Sequence, residues 1–328
     1  MIIITHAKRA SQRKLLIQKW IGVYRMNKIC ESGKRILLII NPKAGKIKPM
    51  STLSDILNVF AKNSCVTDSM STKGKNDATE IVKKHAKNYD VVVCCGGDGT
   101  LNEVINGVMS LETPLPIGYI PTGTSNDFAT SLGLSTDIEK AAQDVIDGKY
   151  LPHDIGSFND ESYFSYVASF GTMSDVSYLT SQRMKNTFGH FAYTLKGAKA
   201  FFNMRAYHAK IEYDKKTIEG DFILGGVSNS KSIGGMIKLK NKDIVLNDGV
   251  FELIFFRKPN NARDVANIAK WLFTQNDNNS SIIFEHAGSA VITSADFIPW
   301  TVDGEFAGYH KTAEIHNRHH AVNFLSPK

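Results

Sequence analysis

Cysteine is scarce in this 328-residue sequence, and what there is cannot cross-link or bind metal. Cys30, Cys65, Cys94 and Cys95 form no C-x-x-C pair, and neighbouring Cys94 and Cys95 lie in an apolar run where alternate side chains point to opposite faces. That rules against a disulfide framework and a structural zinc site, and a reducing cytoplasm is the expected compartment. Long hydrophobic runs are missing as well, since none approaches the roughly 18–20 apolar residues that cross a bilayer. The opening Met1-Ile2-Ile3-Ile4 comes before Lys8, Arg9, Arg13 and Lys14, the reverse of a secretory signal. Two nucleotide-binding signatures are also incomplete. Gly45-Lys46 resembles the end of a phosphate-binding P-loop, but the first glycine is absent and Ile47 stands where Ser or Thr is required. No G-x-G-x-x-G follows the first apolar run, so a dinucleotide fold is not indicated. Internal repeats and low-complexity tracts are absent.

What is present describes a globular protein of about two domains, with 42% hydrophobic and 22% charged residues. A formal charge of +7 favours an anionic partner such as a nucleotide, a nucleic acid or an acidic membrane, although an ordinary basic soluble protein fits it too. No nucleic-acid recognition motif is found, so no nucleic-acid partner is expected.

Residues 1–34 form a basic extension with Leu15, Leu16, Ile17, Trp20 and Ile21 between the charges. It reads as an amphipathic helix on anionic lipid, as a helix packed on the body, or as a start placed ahead of a true initiator at Met26. From Arg35 to about 150, apolar strands alternate with amphipathic helices, which means a parallel α/β sheet. The strands are Ile36 to Ile40, Cys65 to Ser71, Val91 to Cys95 and Ile117 to Ile120. Leu101, Val104, Ile105, Val108 and Met109 mark a helix, and Thr100 and Glu103 are placed to form a capping box at its start. Beyond Leu151 the pattern is mostly β, interrupted by helical stretches around 191–204 and 262–273.

Glycine-rich turns at the C-terminal ends of parallel strands are where such sheets bind ligands. Gly96-Gly97-Asp98-Gly99-Thr100 follows the strongest strand and precedes a helix. Its glycines let backbone N–H groups approach an anion, and the helix N-terminus adds partial positive charge. A turn chosen only for packing would need one glycine, so phosphate binding is expected here. Near the other end, Asp303 and Glu305 straddle Gly304. They are either two surface acids on a hairpin or a carboxylate pair able to take a proton from an alcohol. His310, His316, His319 and His320 lack a matching carboxylate or thiol at ligand spacing and read as exposed tail histidines.

Five segments occur in order: Asn41-Pro42…Gly45; Gly96-Gly97-Asp98-Gly99-Thr100-Leu101-Asn102-Glu103; Pro121-Thr122-Gly123-Thr124-Ser125-Asn126-Asp127-Phe128-Ala129; Asn247-Asp248-Gly249; and Val302-Asp303-Gly304-Glu305. Together they resemble the diacylglycerol kinase catalytic family, especially its soluble bacterial members, from about Arg35 to the C-terminus. GGDGT alone is shared with NAD kinases and 6-phosphofructokinases, whereas GTSNDFA and the late DGE are more specific. The resemblance implies an α/β plus β fold: a doubly wound parallel-sheet nucleotide domain (35–150), then a β-sandwich lipid-substrate domain (151–307), with 308–328 returning to the first domain. It implies ATP and Mg²⁺ as cofactors and a lipid substrate met at a membrane surface, and it allows a homodimer. The implied ATP contacts are Asn41, Pro42, Lys43, Ala44 and Gly45, Thr72, Gly96 through Glu103 (Gly96, Gly97, Asp98, Gly99, Thr100, Leu101, Asn102, Glu103), and Thr124. Asp98 would lie near the phosphate-bound Mg²⁺, Glu305 would accept the hydroxyl proton, and Asp303 would be base partner or metal ligand. A second, structural Mg²⁺ would take the Asp248 carboxylate and the backbone carbonyls of Val245 and Val250. The implied reaction is phosphorylation of a lipid hydroxyl, with diacylglycerol first. Phosphatidylglycerol or a sphingoid base, and an inactive lipid- or nucleotide-binding regulator, are the alternatives.

Overall fold

The computed structural model describes residues 33–45, 49–123, 126–171, 202–233, 237–239, 244–275 and 279–327. The basic segment 1–32, most of the expected helix at 191–204, and Thr124 lie outside them. The described residues begin with four parallel strands: β1 (Arg35–Ile40), β2 (Val66–Ser71), β3 (Val91–Gly96) and β4 (Ile117–Pro121), in the order β2-β1-β3-β4. β1, β3 and β4 are apolar along most of their length because helices cover both faces, whereas the edge strand β2 is mostly polar and exposed. Ile36, Leu38, Val91, Val93 and Ile120 face α1 (Pro49–Lys62) and α5 (Ile138–Asp147). Leu37, Ile39, Val92, Cys94 and Tyr119 face α2 (Asp77–His85), α3 (Asp98–Met109) and α4 (Asp127–Leu132). Cys94 and Cys95 thus point to opposite faces, each buried as a small apolar residue, and burial pushes the Cys95 thiol up to about 12.

The remaining strands are β5 (Lys149–Phe158), β6 (Ser162–Phe164), β7 (Val167–Gly171), β8 (Tyr207–Tyr213), β9 (Lys216–Ser228), the short β10 (Ser232–Ile233) and β11 (Ile237–Lys238), β12 (Phe251–Arg257), β13 (Ile282–Ala287), β14 (Ser289–Val302) and β15 (Glu305–Ser326). Helix α6 (Ala262–Thr274) buries Val265, Ile268 and Trp271 against β12, with Trp271 edge-on to Phe256 at 5.7 Å. β9 and β14 each change neighbours halfway, pairing with β8 over one half and β7 over the other. The β region therefore folds over a core that includes Phe158, Phe164, Phe170, Phe222, Phe255 and Trp300.

One strand joins the two regions. β15 runs 22 residues, pairs with β14 along its first half and β5 along its second, and places Phe324 parallel to Ile117 of β4. Thirteen described strands consequently form one hydrogen-bonded sheet. The boundary drawn near 150 in the sequence falls at the start of β5, a strand held by β15 along most of its length. A strand this long was not visible in the sequence because polar residues from Asn317 to His320 break the apolar alternation.

Candidate active site

The cleft forms where the C-terminal ends of β1 to β4 meet the β14–β15 hairpin, and it encloses about 990 Å³. Asn41 follows β1, its side chain donating to Thr100 Oγ1 at 2.9 Å and accepting from the Lys43 N–H at 3.0 Å. The loop 41–45 is thereby tied to the first turn of α3. Thr72, one residue past β2, donates its N–H to the Ile40 carbonyl. After β3, Gly97 caps α3 in extended conformation, and after β4, Gly123 lies against it. A Cβ on Gly123 would stand 2.7 Å from the Gly97 Cα, and one on Gly97 3.3 Å from the Gly123 Cα. The close approach of two backbones leaves no room for a side chain at Gly123 and little at Gly97. The cleft wall also carries Lys43, Lys73, Lys75 and Lys83.

The expected capping box does not form. Helix α3 already begins at Asp98, so Thr100 sits inside its first turn and is buried on Asn41. Glu103 instead turns to the neighbouring helix and accepts from the Asn76 N–H at 2.8 Å and the Ala78 N–H at 3.1 Å. These are donors that the start of α2 leaves without an intrahelical partner. Spacing alone could not reveal that the cap serves another helix.

Asp303 and Gly304 both have positive φ, at 48° and 85°, and form the two-residue turn between β14 and β15. An Asp-Gly pair suits that hairpin. The Asp303 carboxylate is buried and takes five donors. Ser165 N–H (2.7 Å), Ser165 Oγ (2.9 Å) and Asn102 Nδ2 (2.9 Å) reach one oxygen, while the Tyr166 and Val167 N–H groups (both 3.0 Å) reach the other. Burial pushes its pKa up, and the donors pull it back. Asn102 and Asn106, one turn apart on α3, extend the clamp to the Tyr163 backbone. Glu305, two residues on from Asp303, is exposed on the cleft and meets Lys75 Nζ at 3.0 Å from the opposite wall.

Several expected contacts lie off the cleft. Asp98 accepts from the Tyr119 hydroxyl at 3.3 Å and does not line it, and Pro42, Gly96, Leu101 and Asp303 do not line it either. Lys75, Asn106 and Ser165 were not singled out in the sequence, because their partners are residues distant along the chain. The tail-histidine reading holds for the exposure of His319 and His320 but not for position, because all four histidines lie within β15 and His310 and His316 are half-buried. His310 is half-buried and bonded to the Ala307 carbonyl. His319 and the His320 N–H both meet the fully buried Asp154, at 3.0 and 2.8 Å. Asp154 also accepts from the Gly249 N–H at 2.7 Å, so one carboxylate ties β15 to the 246–250 loop. In that loop Asp248 accepts from the Val250 N–H at 3.2 Å. Nearby Glu252 is 2% exposed, and its Oε2 has no hydrogen-bond partner among the described residues. Burial, with the Asp248 charge adding to it, pushes Glu252 up to about 8. A buried carboxyl oxygen without a partner among the described residues, near the Asp248 charge, is the kind of oxygen donor that suits a hard divalent cation.

Glycine turns and lysines at the carboxyl ends of a parallel sheet, facing the exposed Glu305 carboxylate of the hairpin, are the arrangement of a kinase-type enzyme. The diacylglycerol kinase catalytic domain model matches residues 35–158, which contain the four parallel strands and the glycine turns. The chain is 34% identical to a diacylglycerol kinase from Bacillus subtilis (strain 168) over 297 residues, 90% of this chain and 97% of that one. It is 35% identical to the diacylglycerol kinase of Staphylococcus carnosus (strain TM300), covering 90% and 96%. A crystal structure of a diacylglycerol kinase from Bacillus anthracis str. Sterne shares the fold, with a TM-score of 0.70 at 22% identity, over 89% of this chain and 97% of that one. The chain belongs to the diacylglycerol kinase family.

Proposed function

We propose that this protein transfers the γ-phosphate of ATP to a lipid hydroxyl, with diacylglycerol as the first acceptor. The observation carrying this reading is the facing of Glu305 and the glycine-lysine wall across one cleft. In this assignment the 41–45 loop, Thr72, the Gly97–Thr100 turn and Thr124 hold the phosphates through backbone N–H groups and hydroxyls. Lys43, Lys73 and Lys75 supply positive charge. Glu103 holds α2 in place, and Asp303 holds the hairpin that presents Glu305.

Glu305 takes the proton of the lipid hydroxyl as its oxygen attacks the γ-phosphorus. The bond from phosphorus to the bridging β-phosphate oxygen breaks, and ADP leaves. The Lys75–Glu305 pair is about two-thirds exposed on both sides, so it contributes at most about 1 kcal/mol. Incoming phosphate can therefore draw Lys75 away and leave the carboxylate to act. Bound Mg²⁺ would neutralise charge between the β- and γ-phosphates. Asp98, at the first turn of α3, is the group the resemblance assigns to it, and its carboxylate would have to turn from the Tyr119 hydroxyl into the cleft to reach it. Asp248, with the Val245 and Val250 carbonyls, is assigned to a structural Mg²⁺ beside Glu252.

Incubation with labelled ATP, Mg²⁺ and a panel of lipids in mixed micelles tests the reading. Labelled phosphatidate is the expected product. Labelled phosphatidylglycerol phosphate or sphingoid phosphate would change the acceptor, and no labelled lipid at all would overturn the function.

A further inference from the structure

Among the described residues, six large hydrophobic side chains are well exposed, and three of them (Phe297, Phe306 and Tyr309) lie on the β14–β15 hairpin. A concentration of this kind marks an interaction surface more than scattered apolar residues do. The rings of Phe306 and Tyr309 meet edge-on at 5.3 Å, and Lys311 Nζ lies 5.1 Å from the centre of the Phe297 ring. Phe306 and Ala307 also line the catalytic cleft, so the patch is continuous with its mouth.

The backbone is built to expose these rings. Residues 306 and 309, three apart, would point to opposite faces of a regular strand. The register shifts here, with Phe306 opposite Thr301 but Gly308 opposite Trp300, and Ala307 is the extra residue. Such a bulge reverses the alternation and re-aims the side chains beyond it. His310 pins it. Its Nδ1 accepts from Asn159 Nδ2 at 3.1 Å, which leaves Nε2 to donate to the Ala307 carbonyl at 2.9 Å. A second shift, between Thr293 and Ile298 of β14, leaves Phe297 outside the paired register, where its ring meets Lys311.

We propose that Phe297, Phe306 and Tyr309, with Lys311, form the surface on which this protein docks to a lipid bilayer, the hairpin that carries Glu305 being lowered onto the substrate's own membrane. Aromatic rings edged by a lysine are the side chains that settle at a membrane–water interface, and an anionic leaflet attracts the cation. Continuity with the cleft selects a bilayer over a protein partner, because the acceptor must pass from the membrane to Glu305 across this flank. The inference rests on the lipid-kinase reading for its purpose.

The test compares the full chain with Phe297→Ser/Tyr309→Ser, leaving Phe306 untouched. Sedimentation with phosphatidylglycerol/phosphatidylcholine vesicles should show partition weakened about 10- to 100-fold, as expected for losing two interfacial aromatics. Turnover of a water-soluble short-chain diacylglycerol should stay unchanged. Segment 1–32 is common to both proteins, so its contribution cancels. Phe297→Trp/Tyr309→Trp should keep vesicle binding and shift its emission to the blue on mixing, which guards against a merely misfolded serine variant. Equal vesicle partition of the serine and parent proteins overturns the proposal. So does parent self-association in the ultracentrifuge that the serine pair abolishes, which would make the patch a face between two copies. Vesicle partition is read without turnover: a chain that docks but phosphorylates no lipid sinks the function and leaves the surface standing.

Discussion

At the residue scale, the two acids of the DGE turn are chemically unlike despite lying two positions apart. Glu305 stands in solvent against a lysine, whereas Asp303 is buried under five donors. Glu305→Gln keeps the shape but cannot take a proton, so kcat should fall by about 10²- to 10⁴-fold while ATP affinity, read by equilibrium binding, stays near the parent value. Asp303→Asn removes the charge and turns an amide toward N–H donors. Hydrogen bonds to charged groups contribute about 1.5–3 kcal/mol each, so several weakened together should cost at least about 3 kcal/mol in urea unfolding. A parent-like unfolding midpoint would show that the clamp is unimportant. The sequence marked both acids, and only the resemblance gave them different roles; that Asp303 is buried could not be read, since burial is set by Ser165 and Asn102 from elsewhere along the chain.

At the element scale, the cleft depends on how closely neighbouring loops approach. Gly123→Ala must push the loop after β4 away from Gly97, whose Cα cannot yield. Displacement on the ångström scale costs on the order of 10²-fold in rate, and that loss is expected in kcat/KM for ATP. β5 offers a pH test. His153 is fully buried on this strand, edge-on to Phe128 at 5.2 Å and to Phe324 at 5.5 Å, and burial lowers it from 6.5 to about 4. The unfolded chain binds this proton first as pH falls. The stability from burying a neutral ring is therefore full above 6.5 and is lost progressively down to about 4. A gap of this size corresponds to about 3 kcal/mol. His153→Phe should flatten the stability profile across that window by this amount, measured as the difference between parent and variant unfolding free energies. Unaltered slopes would mean the histidine is hydrated in the native state. The apolar strands and glycine turns that bracket the cleft were legible because each carries its pattern within a few residues. The cap that Glu103 places on α2 was not, because it crosses between elements.

For the whole molecule, β15 decides whether the two regions hold together. Phe324 is fully buried among Phe128, His153 and Ile117, at the point where the last strand joins the parallel sheet. Phe324→Ala should cost about 3–5 kcal/mol and lower ATP binding and thermal stability together. A variant that lost ATP binding with its melting temperature intact would show that the strand is not what couples them. The sequence by itself determined the parallel α/β beginning, the β-rich remainder, the glycine turns and the family resemblance. The first three are written in periodicity of about 2 or 3.6 residues, or in glycines that only a close backbone approach explains, and the resemblance rests on the five motif segments in their order. Only the tertiary structure decided which carboxylate is buried, which histidines meet Asp154, where Lys75 reaches, and that one strand threads both regions. Those outcomes depend on desolvation and on contacts between residues as much as 230 positions apart, as with Lys75 and Glu305. Such contacts arise only when the sheet has closed, and no local pattern encodes them.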